Sequence, residues 1–173
     1  MSFSSASFQD LVVAQIPRLR RYAYALTGDR TQSDDLVQDC LERAWGRRRL
    51  FEPSRPIRPW LFTILHKLHV NHVRRRAAEP LTVSHDDSMT TLAVAPSACG
   101  EVEIEDLRRA LASLAPDQRS VVLLVGLEQL SYQEAAAALG VAVDTVVSRL
   151  SRARAQLREH LGTSATPRLR KTP

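Results

Sequence analysis

The sequence has few of the residues on which secreted, β-rich or membrane proteins depend. Only two of its 173 residues are cysteines, Cys40 and Cys99, and neither lies in a C-x-x-C motif. We therefore expect no disulfide framework, and both side chains should remain thiols in a reducing compartment. Aromatic residues make up 5% of the chain and glycine is sparse, which argues against an all-β sandwich.

Targeting and membrane signals are also missing. No apolar run approaches the roughly 20 residues of a membrane span. The N-terminus lacks the basic and apolar regions of a signal peptide. These absences predict a soluble, cytoplasmic protein without membrane insertion.

Motifs for catalysis, cofactors or metals are absent as well. The sequence contains no phosphate-binding loop, nucleophile elbow or zinc-protease motif, so we predict that the protein is not an enzyme and needs no cofactor. His66, His69 and His72 are spaced across a wide arc of a predicted helix, without a nearby Cys, Asp or Glu. A metal site is therefore not expected. The alternative is that these histidines lie partly exposed beside a DNA-binding face.

Positive charge is what the chain has in excess, and nearly all of it is arginine. Lys and Arg number 24 against 19 Asp and Glu, giving a net charge of +5, and Lys67 and Lys171 are the only lysines. Arginine offers a planar fork to phosphates and guanine edges, although GC-rich coding would produce the same bias. Nucleic acid is the first partner to consider, and an anionic membrane is the second.

The apolar residues recur every three to four positions, which predicts an all-α fold. The predicted helices are 8–26, interrupted or restarted at Pro17 and ended by Gly28; 33–48, with Ser33 as N-cap; 59–76; 102–114; 116–127; 131–140; and 143–161. Residues 81–100 are polar, acidic and aperiodic, which predicts a flexible linker between two small domains, 5–80 and 101–162. A disordered tail is expected at 163–173. Domains of this size have marginal cores, so we expect the two to pack on each other or on an inhibitory protein.

Residues 131–158 carry the pattern of a helix-turn-helix. Ser131 and Glu134 form a capping box, Gly140 ends the short helix, and a three-residue apolar turn leads into the last helix. Residues 146, 150, 153, 157 and 161 form the predicted buried stripe of that helix. Its polar and cationic face consists of Thr145, Ser148, Arg149, Arg152 and Gln156, as a recognition helix in the major groove requires. The alternative is a solvated face on an ordinary helical hairpin.

Two helices of the N-terminal block have opposite charge. Asp35, Gln38, Asp39 and Glu42 fall at i, i+3, i+4 and i+7, which defines what we call the acidic stripe. Thr63, Lys67, Asn71 and Arg74 share a face of the next long helix, which we call the basic face. The acidic stripe repels DNA, so it should face a basic protein or water, whereas the basic face suits DNA. The alternative is two solvated faces.

Residues 34–45 (DDLVQDCLERAW) and 59–65 (PWLFTIL), followed by the arginine run 74–76, resemble region 2 of the extracytoplasmic-function sigma factors, within the sigma-70 family. Residues 114–119 (LAPDQR), 130–136 (LSYQEAA) and 145–154 (TVVSRLSRAR) resemble region 4. The resemblance covers roughly residues 8–161. It implies a region 2 bundle and a region 4 helix-turn-helix joined by the linker. It also implies a factor that binds core RNA polymerase and directs promoter-specific initiation, in a stress or envelope response and held by an anti-sigma factor.

The resemblance also implies roles for individual residues. The β′ clamp helices of the polymerase would be bound by Asp35, Gln38, Asp39 and Glu42. The −10 element would be recognised by the loop 51–57 and by Lys67, Asn71, Arg74 and Arg75. The −35 element would be read by Thr145, Val147, Ser148, Arg149, Ser151 and Arg152. The apolar exterior of region 4 would meet the β flap. The family commonly has Gly at position 144 and a basic or polar residue at 147, whereas this chain has Asp144 and Val147.

Two other functions remain open at this point. A sigma-like decoy would sequester an anti-sigma factor without touching DNA; known decoys carry a receiver domain, for which this chain has no room. A dimeric helix-turn-helix regulator would bind palindromic half-sites but leaves the acidic stripe unexplained.

Overall fold

The computed structural model describes residues 7–78 and 100–164, and every regular element in these ranges is helical. The α-helices are α1 Phe8–Val13, α2 Ile16–Thr27, α3 Arg30–Gly46, α4 Ile57–Ala78, α5 Gly100–Ser113, α6 Pro116–Val122, α7 Tyr132–Leu139 and α8 Val143–Ser164. The all-α prediction is confirmed. The predicted linker, apart from Gly100, and residues 165–173 of the predicted tail lie outside the described residues. None of the described helices is long and apolar enough to cross a membrane.

The start of α3 differs from the prediction. Gly28 ends α2 in the left-handed conformation, with φ at 69°, as its position suggested. Asp29 is therefore the N-cap of α3, and its carboxylate accepts a hydrogen bond of 2.7 Å from the Gln32 amide. The prediction of Ser33 as the cap was wrong, because Ser33 lies one turn inside the helix, where its hydroxyl donates to the Arg30 carbonyl.

The N-terminal unit, α1 to α4, is built around the packing of α3 on α2 and α4. Its fully buried side chains include Leu19, Tyr22, Leu36, Cys40, Leu61, Phe62 and Leu65. The Cys40 thiol contacts the Leu61 carbonyl at 3.6 Å, and burial raises the pKa of that thiol to about 12. Trp60 is half-buried and packs in an aromatic cluster with Phe8 and Phe51.

The C-terminal unit, α5 to α8, contains the predicted helix-turn-helix. Ser131 and Glu134 form the capping box at the start of α7, and Gly140 ends α7 with φ at 68°. Val146, Leu150 and Ala153 of α8 are buried as predicted, Leu157 is half-buried, and Leu161 is 37% exposed and does not belong to the buried stripe. Helix α6 continues as a π-helical turn, Leu123–Leu127, which places the loop before α7 against the N-terminal unit.

The two units pack on each other, as their small size predicted. Helix α4 lies against α7, and α2 contacts the π-helical turn. The buried residues of both units form one continuous hydrophobic cluster. The described molecule is therefore a closed body, in which separating the units would expose apolar surface to water.

Candidate nucleic-acid interface

The acidic stripe is formed as predicted and is open to a partner. All four side chains are exposed: Asp35, Gln38, Asp39 and Glu42. The Gln38 amide donates to the Glu42 carboxylate at 3.1 Å, one helical turn away. Neighbouring residues of the same helix, Leu36, Val37 and Cys40, are buried, and this fixes which side of α3 faces outwards.

The basic face of α4 is also exposed. Lys67, Asn71, Arg74 and Arg75 are open to solvent, whereas Thr63 is half-buried and donates to the Pro59 carbonyl. The Arg76 guanidinium donates a hydrogen bond of 2.7 Å to the Gln32 side-chain oxygen, and this bond joins the C-terminal end of α4 to the start of α3. The exposed cations and the Asn71 amide provide donors for phosphate oxygens and base edges.

The structure brings part of the acidic stripe together with part of the basic face. A groove between α3 and α4 is lined by Asp39, Glu42, Arg43, Leu68, Asn71, His72 and Arg75. The His72 imidazole lies 3.4 Å from the Asp39 carboxylate across this groove. The two sites predicted for different partners are therefore adjacent, which the separate sequence patterns did not indicate.

The recognition helix α8 presents an exposed polar face. Val147, Ser148, Ser151 and Arg152 are exposed, and Thr145 is half-buried. Arg149 differs from the other predicted contacts because it is bound within the protein. Its guanidinium lies 2.5 Å from the Asp117 carboxylate of α6, and its side chain is 26% exposed.

The seam between the units contains a buried carboxylate. Glu128, in the loop before α7, is fully buried, and one of its oxygens accepts from the Arg21 guanidinium of α2 at 2.9 Å. The other oxygen accepts no hydrogen bond and lies 3.8 Å from Arg18. Arg58 of α4 donates to the carbonyl of Gln129, a non-glycine residue held in the left-handed conformation with φ at 55°. Three arginines of one unit thus hold one short loop of the other.

The histidines of α4 diverge rather than cluster. His66 and His69 are half-buried toward the C-terminal unit, where Asp117, Arg119 and Arg149 lie within electrostatic range, while His72 faces Asp39. Burial lowers the pKa of His66 to about 4 and also lowers that of His69. All three are half-buried, and the interpretation that they lie beside a DNA-binding face stays a prediction. Within residues 7–78 and 100–164, no group of three or more His, Cys, Asp or Glu is arranged to hold a metal ion.

Comparisons with known proteins decide between the functions left open. The family described as "Sigma2 domain of PhyR" matches residues 12–66, and "Sigma-70, region 4" matches residues 104–157. The ECF RNA polymerase sigma factor EcfG of Rhodopseudomonas palustris is 39% identical over 151 residues, which are 87% of this chain and 83% of that protein. The chain belongs to the extracytoplasmic-function sigma factors. It binds core RNA polymerase and directs promoter-specific transcription initiation.

Solved structures of other sigma factors have the same fold. The sigma factor RpoE of Bartonella quintana, solved with the anti-sigma factor NepR, has a TM-score of 0.76 and 34% identity. The match covers 90% of this chain and 96% of that one. CnrH, solved with the cytosolic domain of CnrY, has a TM-score of 0.68 and 30% identity, covering 91% and 89% of the two chains. The sigma2 match, residues 12–66, lies in the N-terminal unit and the region 4 match, residues 104–157, lies in the C-terminal unit, so the two units are called region 2 and region 4.

Sequence reasoning missed the residues at the seam of this sigma factor. Glu128 was a possible signal, since it is the only charged residue in the apolar stretch 120–130. A charge in such a stretch is rarely buried unless it is paired. Its partners Arg18 and Arg21 could not be identified, because they lie more than 100 positions away in the chain.

Arg119 belongs to the motif 114–119 that resembles region 4. Its guanidinium donates to the Leu111, Ala112 and Leu114 carbonyls and so caps the C-terminal end of α5.

Proposed function

We propose that this sigma factor uses four surfaces, and that the closed body is its form away from polymerase. The acidic stripe of α3 binds the basic clamp helices of the β′ subunit. The basic face of α4, with Arg75 and the loop 51–57, recognises the −10 element. The recognition helix α8 reads the −35 element, while the apolar exterior of region 4 meets the β flap.

The exposure of the stripe is the single observation that carries the polymerase assignment. Four polar or acidic side chains point outwards from a helix whose other side is buried. Exposed carboxylates attract a basic helix and repel phosphate, so this surface fits a protein better than DNA. Exposed Lys67, Arg74 and Arg75 have the opposite preference.

Promoter binding requires the two units to separate. The −35 and −10 elements lie about 25 base pairs apart, or about 85 Å along B-form DNA. A compact body of the described size has a radius of gyration of about 14 Å. The closed body therefore reaches one element at a time, and polymerase has to hold region 2 and region 4 apart for both to be read together.

The closed body is also a suitable target for an inhibitor. RpoE, which shares this fold, was solved with the anti-sigma factor NepR, and CnrH was solved with the cytosolic domain of CnrY. An anti-sigma factor of this kind binds the present chain across both units and holds them together, so that polymerase cannot use them. A titration of the purified chain with such a protein, measured by calorimetry and repeated with core polymerase present, should show mutually exclusive binding.

Transcription in vitro tests the proposed function. The purified chain is mixed with bacterial core polymerase and a library of promoter fragments, and the transcripts are mapped. We expect new start sites that share two upstream elements, with no transcripts from core polymerase alone. Polymerase supplies the chemistry, so the factor itself is not an enzyme, and its work is cytoplasmic because the enzyme and the DNA are there.

The two alternatives predict different results in the same assay. A decoy would produce no transcripts and would not bind core polymerase. A dimeric helix-turn-helix regulator would bind a palindromic site without polymerase. Neither accounts for an exposed acidic stripe beside a basic face.

A further inference from the structure

The recognition helix does not present all its polar residues in the same direction. Buried Val146, Leu150 and Ala153 define the side of α8 that faces the core. With 3.6 residues per turn, Ser148, Ser151 and Arg152 point roughly 130° to 170° away from that side. Arg149 points only about 70° away from it. Its side chain therefore extends along the protein surface, beside the core-facing side of α8, and does not point straight out into solvent.

The sideways direction leads to Asp117, in the first turn of α6. The two side chains form an ion pair at 2.5 Å, and Arg149 is only 26% exposed although Asp117 is 68% exposed. Helix α6 packs against α8, so the pair joins two helices that already touch. Asp117 lies near the N-terminus of α6, where the helix dipole favours a carboxylate.

Electrostatics also favour keeping this pair intact when DNA is bound. If Arg149 turned toward a base, the Asp117 carboxylate would lie beside the DNA-reading surface without its cation. An unpaired carboxylate there would repel the phosphates that position the helix. Arg152 lies on the exposed side of α8, and within the described residues no ion pair ties it to an acidic side chain.

We propose that Arg149 is a positioning residue for −35 recognition, and that Asp117 is the partner through which it acts. The pair sets the angle of α8 on α6, and the bases are read by Ser148, Ser151 and Arg152. This inference rests on the proposed reading of the −35 element by α8, and it removes Arg149 from the residues that contact bases.

Holoenzyme made with the full chain provides the test, on the promoter found by transcription in vitro. The variants are Arg149→Ala, Asp117→Ala, the double alanine variant, and the charge exchange Arg149→Asp with Asp117→Arg. Binding is measured on the parent promoter and on promoters with each −35 base pair changed singly. Arg152→Ala is the matched control for a residue that reads bases.

We expect both single alanine variants to weaken binding about equally, by about tenfold. The double alanine variant should be no weaker than either single one. The charge exchange should recover most of the loss, which a variant that merely fails to fold cannot do. None of these variants should alter the order of preference among −35 sequences, whereas Arg152→Ala should reduce discrimination at one or two base pairs.

Loss of discrimination at a base pair in Arg149→Ala, but not in Asp117→Ala, would overturn the inference and make Arg149 a base contact. Additive losses without recovery in the charge exchange would also overturn it. If Arg152→Ala left the discrimination among −35 sequences unchanged, the proposed reading of the −35 element by this helix would fail instead.

Discussion

The carboxylate of Glu128 in region 4 lies 2.9 Å from the guanidinium of Arg21 in region 2, and Glu128 is fully buried. Residues 107 positions apart are thereby joined across the seam. A buried carboxylate that loses its cations is strongly unfavourable. When the units separate, however, water can solvate it. The ion pair therefore stabilises the closed body less than an apolar contact of the same size would. Its main effect is to favour one arrangement of the two units, the one in which the carboxylate keeps its cations.

Replacing Glu128 by Lys should open the closed body. The substitution places a cation against Arg18 and Arg21, which repel it. Small-angle scattering should show an increased radius of gyration, and core polymerase should bind more tightly because more of the chain is already open. Glu52→Lys is the matched control, since Glu52 forms an exposed ion pair with Arg55. An unchanged radius of gyration with intact helicity would contradict this role for Glu128.

Reversing the charge of the acidic stripe should abolish polymerase binding. Asp39→Lys with Glu42→Lys replaces two exposed carboxylates by cations, which repel the basic clamp helices. The association with core polymerase can be measured by fluorescence anisotropy of a labelled chain. Asp34→Lys is a suitable control on the same helix, because Asp34 lies outside the stripe and pairs with Arg20. Unchanged affinity in the double variant would remove the stripe from the polymerase interface.

The Cys40 thiol should be unreactive in the native protein. Burial raises its pKa to about 12, so at neutral pH almost none of it is thiolate, the form that reacts. In a Cys99→Ser background, Ellman's reagent should label Cys40 only at the rate at which the chain unfolds, and rapidly in denaturant. Labelling of the native protein as fast as that of the denatured chain would show that the region 2 core opens readily.

Acidification should destabilise the fold through His66. Burial lowers its pKa from 6.5 to about 4, and the groups facing it are Tyr22 of α2, His69 of α4, Asp117 of α6 and Arg149 of α8. Between these two values the unfolded chain binds a proton that the native protein does not. The free energy of unfolding should therefore fall as the pH drops from about 6.5 to about 4 and should lose this dependence above 6.5.

Urea unfolding at several pH values measures this effect. His66→Gln removes the titrating group and should make the dependence on pH shallower, whereas Asn71→Gln, at an exposed position of the same helix, should leave it unchanged. If the free energy of unfolding changed equally with pH in the unsubstituted protein and in His66→Gln, another group would control the stability in acid.

Local signals predicted the helices well and their ends less well. Gly28, Ser131 and Gly140 act through their own backbone and their nearest neighbours, so their positions could be interpreted from the sequence. Ser33, which two aspartates follow, also has the pattern of an N-cap, but Asp29 comes first after Gly28 and caps the helix instead. Two acceptable caps four residues apart are not distinguished by local pattern, since the choice depends on how α3 packs.

The family motifs predicted which residues share a face, but they could not predict what each side chain contacts. Arg149 belongs to the polar side of α8 by spacing, yet it is bound to Asp117. Trp60 belongs to the apolar motif 59–65, yet it is half-buried in an aromatic cluster with Phe8. Both outcomes depend on neighbouring helices, which helical periodicity does not describe.

The sequence by itself determined the all-α class, the two regions in order, the acidic stripe and the helix-turn-helix, because these depend on spacing within one helix or across one turn. Only the tertiary structure decided that the two regions share one core, that Glu128 is buried against Arg18 and Arg21, and that His66 faces region 4. These features depend on contacts between residues far apart in the chain. Such pairings are set by how the apolar faces fit together, and no local pattern carries that information.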